Sequence, residues 1–494
     1  MGPSRFSARM GVWSALFAGC LLSACGGSRT LPSNSAPLQT QSFSQSVNLP
    51  DREPVDMAAT PPSAVSCTGP DPNIRVPNAP HGMYVWNPNH FGPFIETSLL
   101  KVIGTDPTLC GVSFVINWRD VNPARGVYDW SYVDGSAPPP NVPTPAPGAS
   151  PMPTNIAYPY FHAGLRVNLL FADGPEIGSV NDVTPDYVTD PVSAGGDGVP
   201  MINCSPLPGK PSIPSQPYYP NATFEADWAT FIAAAVAHFS GESPISPNVG
   251  YMRFGQGFGT EELPGHGYDG GKGSSTWSAQ QPGCMDAWTS TSLTPPLTVA
   301  SWKTHSLHVV QAIASAAQAA GSTKQMMIAL NAYTGDTRQP IGSFGGYELT
   351  NAVAAAAAGS GIGFGTENLG DTNPVIKPCS ESRSSPNLYW CPPVRAPFAN
   401  SVPIEFQTIT ETTPGTSKNG SLNIQTILKY AINNKAQILE LYPSEWLRSN
   451  GLPPSQGAPA PHPVTASNYH CAMYKAAAVL GLAAPTSAPC IGSY

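Results

Sequence analysis

The sequence predicts a (β/α)8 barrel, because eight short apolar segments alternate with helical patterns and three long polar segments follow predicted strands. Most of the apolar segments are nearly continuous, as expected of parallel strands that are covered on both faces. Strands that alternate with helices over roughly 400 residues favour a closed barrel, with an open doubly wound sheet as the alternative. The predicted strands span residues 82–86, 111–118, 164–171, 249–255, 325–330, 361–365, 402–407 and 436–442.

Helical patterns lie between these strands at the spacing that the barrel requires. Alanine-rich or amphipathic segments precede the fourth, fifth, sixth and eighth strands, and a last one closes the chain. They span residues 224–240, 301–321, 347–360, 421–434 and 467–482. Each segment is long enough to cover the outside of a barrel strand.

Long polar segments follow the third, fourth and sixth predicted strands, at residues 172–222, 260–300 and 366–400. Active sites of such barrels are built from the loops at the carboxyl ends of the strands. Long loops at that end usually shape a binding cleft. The sequence therefore predicts a cleft over the carboxyl ends of the strands.

The amino terminus has the form of a bacterial export signal. Arg5 and Arg9 precede an apolar run over residues 11–22, which is too short to span a bilayer. The run ends in Leu-Ser-Ala-Cys, which resembles a lipobox and implies cleavage before Cys25 and lipidation of its thiol. An ordinary signal peptide that is cut nearby is the alternative. We expect a signal peptide over residues 1–24, a flexible Ser/Pro-rich tether over 25–75 and the barrel over 76–494.

The composition fits an exported protein that binds no nucleic acid. The net charge is −8 and only 11% of residues are charged, so no basic patch is expected. Ten cysteines occur, and eight remain without Cys20 and Cys25. An even number favours disulfides, with Cys379–Cys391 and Cys471–Cys490 as the local pairs. The sequence has no CxxC pair, so neither a structural zinc nor another cofactor is predicted.

Nine acidic residues lie near the predicted strand ends, and two of them suggest an acid/base pair. Glu261 follows the fourth strand after a glycine-rich turn, and Glu405 is surrounded by apolar residues in the seventh. Two facing carboxyl groups suit the hydrolysis of glycosidic bonds, where one donates a proton and the other attacks the anomeric carbon or activates water. The nine are Asp120, Asp173, Glu261, Glu262, Asp336, Glu367, Glu405, Glu440 and Glu445.

Two other interpretations of these acids stay open. Glu405 is costly to bury without a partner, so it is alternatively a structural ion pair with Arg119, Arg166 or Arg253. Glu261 and Glu262 with His266 are alternatively a metal site, although the nine scattered histidines give it little support.

The segment NWRDVNPARGVYDWSYVD, residues 117–134, resembles the segment after the second strand of clan A glycoside hydrolases, including β-galactosidase-like members. The segment TPDYV, residues 184–188, is similar to their loop after the third strand. The resemblance implies an acid/base glutamate after strand four and a nucleophilic glutamate at the end of strand seven, which are Glu261 and Glu405. This chain has Thr260 where the family has Asn, which leaves the choice between Glu261 and Glu262 open.

Substrate-binding candidates surround the same strand ends. Aromatic rings stack on the apolar faces of sugars, although each tryptophan is alternatively a packing residue. The amides of Asn331 and Gln407 are predicted to bind hydroxyl groups, or alternatively to cap turns. The predicted set is Trp86, Trp118, Arg119, Asn331, Gln407, Glu440 and Trp446.

Together these features predict an exported, lipid-anchored glycoside hydrolase that acts on an oligo- or polysaccharide. Its partners are then the carbohydrate and a membrane, with the outer membrane or cell surface as the expected location. The alternative is a non-catalytic carbohydrate-binding or envelope lipoprotein on the same barrel.

Overall fold

A computed structural model gives the fold over residues 67, 76, 79–88, 93–103, 106–141, 155–175, 183–202, 215–257, 292–330, 346–369, 398, 400–408, 423–461 and 463–481. Eight parallel strands form a closed barrel in which each strand pairs with its sequence neighbours and the last pairs with the first. This confirms the predicted (β/α)8 barrel and excludes an open sheet. The predicted signal peptide, Cys25 and most of the tether lie outside the described residues.

The barrel strands agree with the apolar segments of the sequence to within a few residues at their ends. They are β1 Gly82–Trp86, β2 Leu109–Asn117, β3 Arg166–Ala172, β4 Val249–Phe254, β5 Gln325–Ala329, β6 Gly363–Leu369, β7 Ile404–Thr408 and β8 Ile438–Leu441. β1 closes the ring against β8, with Tyr84 opposite Glu440. Two further strands of two residues each, Met201–Ile202 and Gln216–Pro217, form a small antiparallel pair outside the barrel.

Helices surround the barrel, and the five predicted from the sequence are present. All described α-helices, in chain order, are α1 Pro93–Leu100, α2 Trp118–Val121, α3 Ser131–Asp134, α4 Tyr158–His162, α5 Asp186–Thr189, α6 Ala222–Ala237, α7 Val299–Ala319, α8 Gly346–Gly359, α9 Asn423–Asn433, α10 Pro443–Ser449 and α11 Pro463–Val479. Short 3₁₀-helices span Val192–Ala194 and Ser246–Asn248.

The start of α6 and α7 follows from local capping residues. The Asn221 side chain accepts hydrogen bonds from the Thr223 and Phe224 amides, and Thr298 forms a capping box with Ser301. Such caps satisfy amides that have no partner inside the helix. The predicted helix over 224–240 differs at its end, since α6 stops at Ala237 and continues as a π-helical turn, His238–Glu242.

The segment before β1 is fastened to the amino-terminal end of the barrel. Cys67 forms a disulfide with Cys110, the second residue of β2. The Gln437 amide, just before β8, donates to the carbonyls of Val76 and Pro80 at 3.3 and 3.2 Å. The predicted local pairs are not tested by these contacts, because Cys379, Cys391 and Cys490 lie outside the described residues. Cys471 does take part in a disulfide.

An aromatic cluster fills the space between the barrel and α6. Trp118 is fully buried, and its ring centroid lies 4.9 Å from that of Trp228 and 5.8 Å from those of Phe224 and Phe231. Large buried rings contribute much of a core's apolar area. The cluster therefore fixes α6, and with it the start of β4, against the rest of the barrel.

Candidate active site

A charged network crosses the interior of the barrel. The Arg253 guanidinium on β4 donates to Glu405 Oε2 on β7 at 2.7 Å, and its second nitrogen donates to Gln407 Oε1 at 3.0 Å. β4 and β7 are not neighbours in the sheet, so these side chains meet inside the barrel. Glu440 Oε2 on β8 lies 3.9 Å from the same guanidinium. One arginine thus contacts polar side chains from two other strands.

Tyr251, two residues before Arg253, holds the second carboxylate of the network. Its hydroxyl donates to Glu440 Oε1, and its ring packs edge-on against Tyr84 of β1 at 6.4 Å between centroids. Burial raises the pKa of Tyr251 well above its usual value of 10, and the charges of Glu440 and Glu405 raise it further. Tyr251 is therefore a permanent hydrogen-bond donor to Glu440.

The network is buried and has more acidic than basic groups. Arg253 is 1% exposed, and Glu405 and Glu440 are fully buried. Taking an ion out of water costs several kcal/mol, and only a close and well-oriented partner offsets that cost. Barrels usually fill this space with branched apolar side chains. The interior of this barrel is thus charged where such barrels are usually apolar, which makes the network the candidate site.

Gly365 of β6 makes room for the ion pair. It lies opposite Glu405 in the register of β6 and β7. A Cβ at this position would overlap Glu405 Oε2 and stand 3.0 Å from the Arg253 Nη1. Any other residue here would displace one of the two charged groups, so glycine is required by the close approach.

A second group of polar residues lies where β3 and β4 end. Asp173 directly follows β3 and is fully buried, with Oδ1 3.3 Å from the Gly257 amide after β4. Gln256, also fully buried, donates its side-chain amide to the Ala329 carbonyl at the end of β5 at 2.6 Å. These contacts join the carboxyl ends of three consecutive strands.

Two histidines of α7 and a glutamate of α6 support this edge from outside the barrel. His305 on α7 is fully buried, with Nε2 3.0 Å from the Gln256 carbonyl and Nδ1 3.1 Å from Glu225 Oε1 on α6. His308 Nδ1 lies 2.7 Å from the other Glu225 oxygen. Burial alone would raise the pKa of Glu225, but the two histidines outweigh it and hold that pKa below its usual range. The ionised Glu225 thereby orients the ring that contacts the end of β4.

Three of the predicted site residues are brought together by this structure. Glu405, Gln407 and Glu440 all lie in the network around Arg253. The resemblance implies a nucleophile at the end of strand seven, but β7 continues past Glu405 through Phe406 and Gln407 to Thr408, one residue beyond the predicted end at 407. Gln407 still pairs with Glu440 of β8 in the register, and that pairing extends the strand. Glu261, Glu262 and Asn331 lie outside the described residues.

Other contacts or burial describe the remaining predicted substrate-binding residues. Trp86 packs on Tyr442 at 4.9 Å between ring centroids, and Trp446 is fully buried within α10. Trp118 belongs to the aromatic cluster, and its indole N–H donates to Asn122. These contacts agree with the alternative interpretation, in which the tryptophans are packing residues. The Arg119 side chain is 38% exposed and pairs with Asp186 on α5 at 2.7 Å.

The structure selects one of the three arginines that the sequence offered as partners of Glu405. Arg119 pairs with Asp186, and Arg166 donates to the Pro247 carbonyl, whereas Arg253 binds Glu405. Arg253 and Arg166 are each the sole charge within an apolar strand, as Glu405 is in its own, so the sequence alone does not decide between them. Opposite charges in two buried strands are expected to meet. The role of Asp173 was missed, although a lone acid directly after an apolar strand is a comparable signal.

Within the described ranges, no helix is long and apolar enough to cross a membrane. The same residues contain no group of three or more His, Cys, Asp or Glu side chains placed to hold a metal ion. The alternative metal site at Glu261, Glu262 and His266 lies outside them.

Comparisons with known proteins find only remote likenesses. Neither a protein-family model nor a curated protein sequence matches this chain. A sugar phosphate isomerase/epimerase from Parabacteroides distasonis is similar in structure, with 10% identity, 81% of this chain and 95% of that chain covered, and a TM-score of 0.34. A β-galactosidase from the haloarchaeon Halorubrum lacusprofundi is similar at 12% identity, with 80% of this chain covered and a TM-score of 0.40. The match spans 58% of the β-galactosidase chain. Likenesses this remote carry no argument about activity, and the fold rests on the strand pairing itself.

Proposed function

We propose that this chain is an exported, lipid-anchored glycoside hydrolase that cleaves a glycosidic bond of an oligo- or polysaccharide with two carboxyl groups. The observation that carries the proposal is the Arg253–Glu405 ion pair inside the barrel. A buried charged network in an otherwise apolar fold is characteristic of functional sites.

The geometry around Glu405 suits a nucleophilic carboxylate. A nucleophile must be ionised, and a guanidinium at 2.7 Å favours the charged form of a carboxyl group. The neighbouring Gln407 and Glu440 supply polar groups that orient the same guanidinium. Glu405 therefore takes the role of nucleophile in the proposed mechanism.

The acid/base group is assigned to Glu261, in the segment that continues from β4. Arg253 is on β4 and reaches Glu405, so the strand that leads towards Glu261 is tied to the strand that carries the nucleophile. In the proposed reaction, Glu261 protonates the leaving oxygen while Glu405 attacks the anomeric carbon. Water then cleaves the glycosyl-enzyme, with Glu261 acting as the base.

The first test is a panel of aryl glycosides and polysaccharides with wild type and Glu405→Gln. We expect hydrolysis by the wild type and a loss of several orders of magnitude in Glu405→Gln, because the amide is not a nucleophile. Asp134→Asn is the matched control, since Asp134 is also buried and is bound by His238 at 2.7 Å, in a cluster apart from this network. Equal rates in Glu405→Gln and wild type would remove Glu405 from the mechanism.

The choice between the adjacent acids is tested by Glu261→Gln and Glu262→Gln. Removal of the acid slows substrates with poor leaving groups more than aryl glycosides with good ones, because only the former need protonation. We expect this pattern in Glu261→Gln alone. The anomeric configuration of the first product, read by NMR, separates retention from inversion.

A non-catalytic carbohydrate-binding lipoprotein is the second candidate, and one observation favours it. Glu405 is fully buried, like Gln256 two residues after the end of β4. Binding of a polysaccharide by calorimetry, with no hydrolysis of any substrate in the panel, would select this candidate.

The lipid anchor is tested separately from catalysis. Wild type is expected to partition with membranes and Cys25→Ala to remain in the aqueous phase. A Cys25→Ala protein that still partitions with membranes contradicts the anchor and leaves the catalytic proposal unaffected.

A further inference from the structure

Asp173 is a buried acid without a counter-charge in the described part of the chain. Its side chain has no exposed surface, and Oδ1 accepts a hydrogen bond from the Gly257 amide at a long 3.3 Å. Oδ2 has no hydrogen-bond partner among the described residues. An ionised carboxylate in such surroundings costs far more than the uptake of a proton.

The backbone on both sides of this carboxyl group is held tightly. The Thr184 hydroxyl donates to the Asp173 carbonyl at 2.8 Å. A Cβ on Gly174 would overlap the Tyr219 hydroxyl and stand 3.0 Å from the Gly257 carbonyl. Gly174, Tyr219 and Gly257 are therefore in close contact, and the backbone that carries the Asp173 side chain has little freedom to turn it towards solvent.

Electrostatics agree with the packing. Burial raises the pKa of Asp173 well above its usual range, and the weak backbone hydrogen bonds offset this only in part. Among the described residues, the charge of Asp173 affects the ionisation of Tyr219. Burial raises the pKa of Tyr219 well above 10, and the Asp173 charge raises it further. Burial thus favours the uncharged form of both groups.

We propose that Asp173 is a positioning residue that works as an uncharged carboxylic acid. It holds Gly257, and through it the beginning of the segment that carries Glu261 and Glu262. The link to Glu261 rests on the proposed function, whereas the uncharged state of Asp173 does not. A carboxylic acid also provides one O–H donor, which a carboxylate lacks.

The uncharged state is tested by thermal unfolding of wild type and Asp173→Asn from pH 4 to pH 8. Asn has the same shape and never ionises. The folded-state pKa of Asp173 is raised, so its stabilising contribution is complete below the unfolded-state pKa, about 3.9, and is lost as pH rises towards the folded value. The folding equilibrium constant of wild type relative to Asp173→Asn should fall by about ten-fold per pH unit over that window.

Asp186→Asn is the control for this series, because Asp186 is 55% exposed and pairs with Arg119 at the surface. The difference in stability between Asp186→Asn and wild type should change little over the same pH range. If the difference in stability between wild type and Asp173→Asn were constant above pH 5, Asp173 would be ionised in the folded protein, and the proposal would be overturned.

The positioning role is tested on any substrate that the panel identifies. Asp173→Asn should keep kcat and KM near wild type at pH 6, whereas Asp173→Ala should lower kcat on the order of 100-fold, with a smaller change in KM. At high pH, wild type should lose activity before Asp173→Asn does. A merely structural role would leave the pH profiles of wild type and Asp173→Asn parallel.

The two proposals fail in different ways. Hydrolysis that needs Glu405 but is unchanged in Asp173→Ala would overturn the positioning role alone. An absence of hydrolysis would overturn the proposed function, while the unfolding series would still decide whether Asp173 is uncharged.

Discussion

Arg253 and Glu405 form a 2.7 Å ion pair although their strands, β4 and β7, are three positions apart around the barrel. Both side chains are almost completely buried. The pair therefore connects two non-adjacent strands across the interior, and it is also the centre of the proposed site. Its structural and chemical roles are separated by the variants below.

Removal of the arginine should be strongly destabilising. Arg253→Met leaves Glu405 buried without its counter-charge, which costs about 3–5 kcal/mol in comparable buried pairs. The double variant Arg253→Met/Glu405→Gln should recover part of this loss, because Glu440 is then the one carboxylate of the network that lacks the arginine, whereas Arg253→Met leaves both Glu405 and Glu440 without it. Chemical unfolding provides the measurement.

Arg125→Met is the matched control, because the Arg125 side chain is 56% exposed and its ion pairs with Asp197 and Asp227 lie near the surface. Exposed pairs contribute about 0–1 kcal/mol. A double variant at Arg253 and Glu405 that is no more stable than Arg253→Met would contradict the account of an uncompensated charge.

Gly365→Ala should disturb the same pair without removing a charge. The added methyl group overlaps Glu405 Oε2, and overpacking of this kind costs about 1–3 kcal/mol. Gly359→Ala at the end of α8 is the control, because a Cβ there meets no atom within 4 Å and alanine favours the helix. Thermal unfolding should show a loss for the first variant and a small gain for the second. Equal melting temperatures would mean that the ion pair has room to move.

The Asp197–Asp227 pair should make stability depend on pH around 6. Burial, followed by the hydrogen bond and charge of Asp197, raises the pKa of Asp227 to about 6. The folded-state value exceeds the unfolded value of about 3.9, so this contribution to stability is present below pH 4 and is lost as pH rises through 6. The melting temperature of wild type relative to Asp227→Asn should therefore fall between pH 4 and pH 7. A flat difference over this range would show that the two carboxyl groups do not share a proton.

The disulfide between Cys67 and Cys110 should stabilise the barrel through the unfolded state. The two cysteines are 43 residues apart, and a closed loop of this size contributes about 2–4 kcal/mol. The double variant Cys67→Ala/Cys110→Ala should lower the free energy of unfolding by this amount. Substitution is preferred to chemical reduction, because reduction also opens the disulfide of Cys471. Unchanged stability in the double variant would contradict the expected effect.

The barrel is readable from the sequence because its strands are covered on both faces. The run GMYVW predicts a strand over 82–86, and β1 spans those residues. The ends of the strands are harder to predict from the sequence where polar residues continue the strand pairing. Gln407 and Thr408 extend β7 past Glu405 although neither is apolar, since Gln407 pairs with Glu440 of β8 and Thr408 pairs with Leu369 of β6.

The site is only partly readable, because it depends on which side chains meet across the barrel. The sequence indicates that Glu405 needs a partner, yet Arg119, Arg166 and Arg253 are equal candidates until the register is known. Closure of the ring places Arg253 opposite β7 and directs Arg119 to Asp186. Trp118 shows the same dependence on the fold. It lies beside a strand end in the sequence, but its ring packs in the aromatic cluster between the barrel and α6.

The fastening of the chain at Cys110 determines where a mechanical load enters the molecule. Any pull on the segment before Cys67 reaches the barrel through a covalent bond at the amino-terminal end of β2, and the contacts of Gln437 hold the same end. Asp173 and Gln256 lie at the other end of the strands. Traction on the amino-terminal segment would thus be borne at the amino-terminal end of the barrel, opposite the end that carries Asp173 and Gln256.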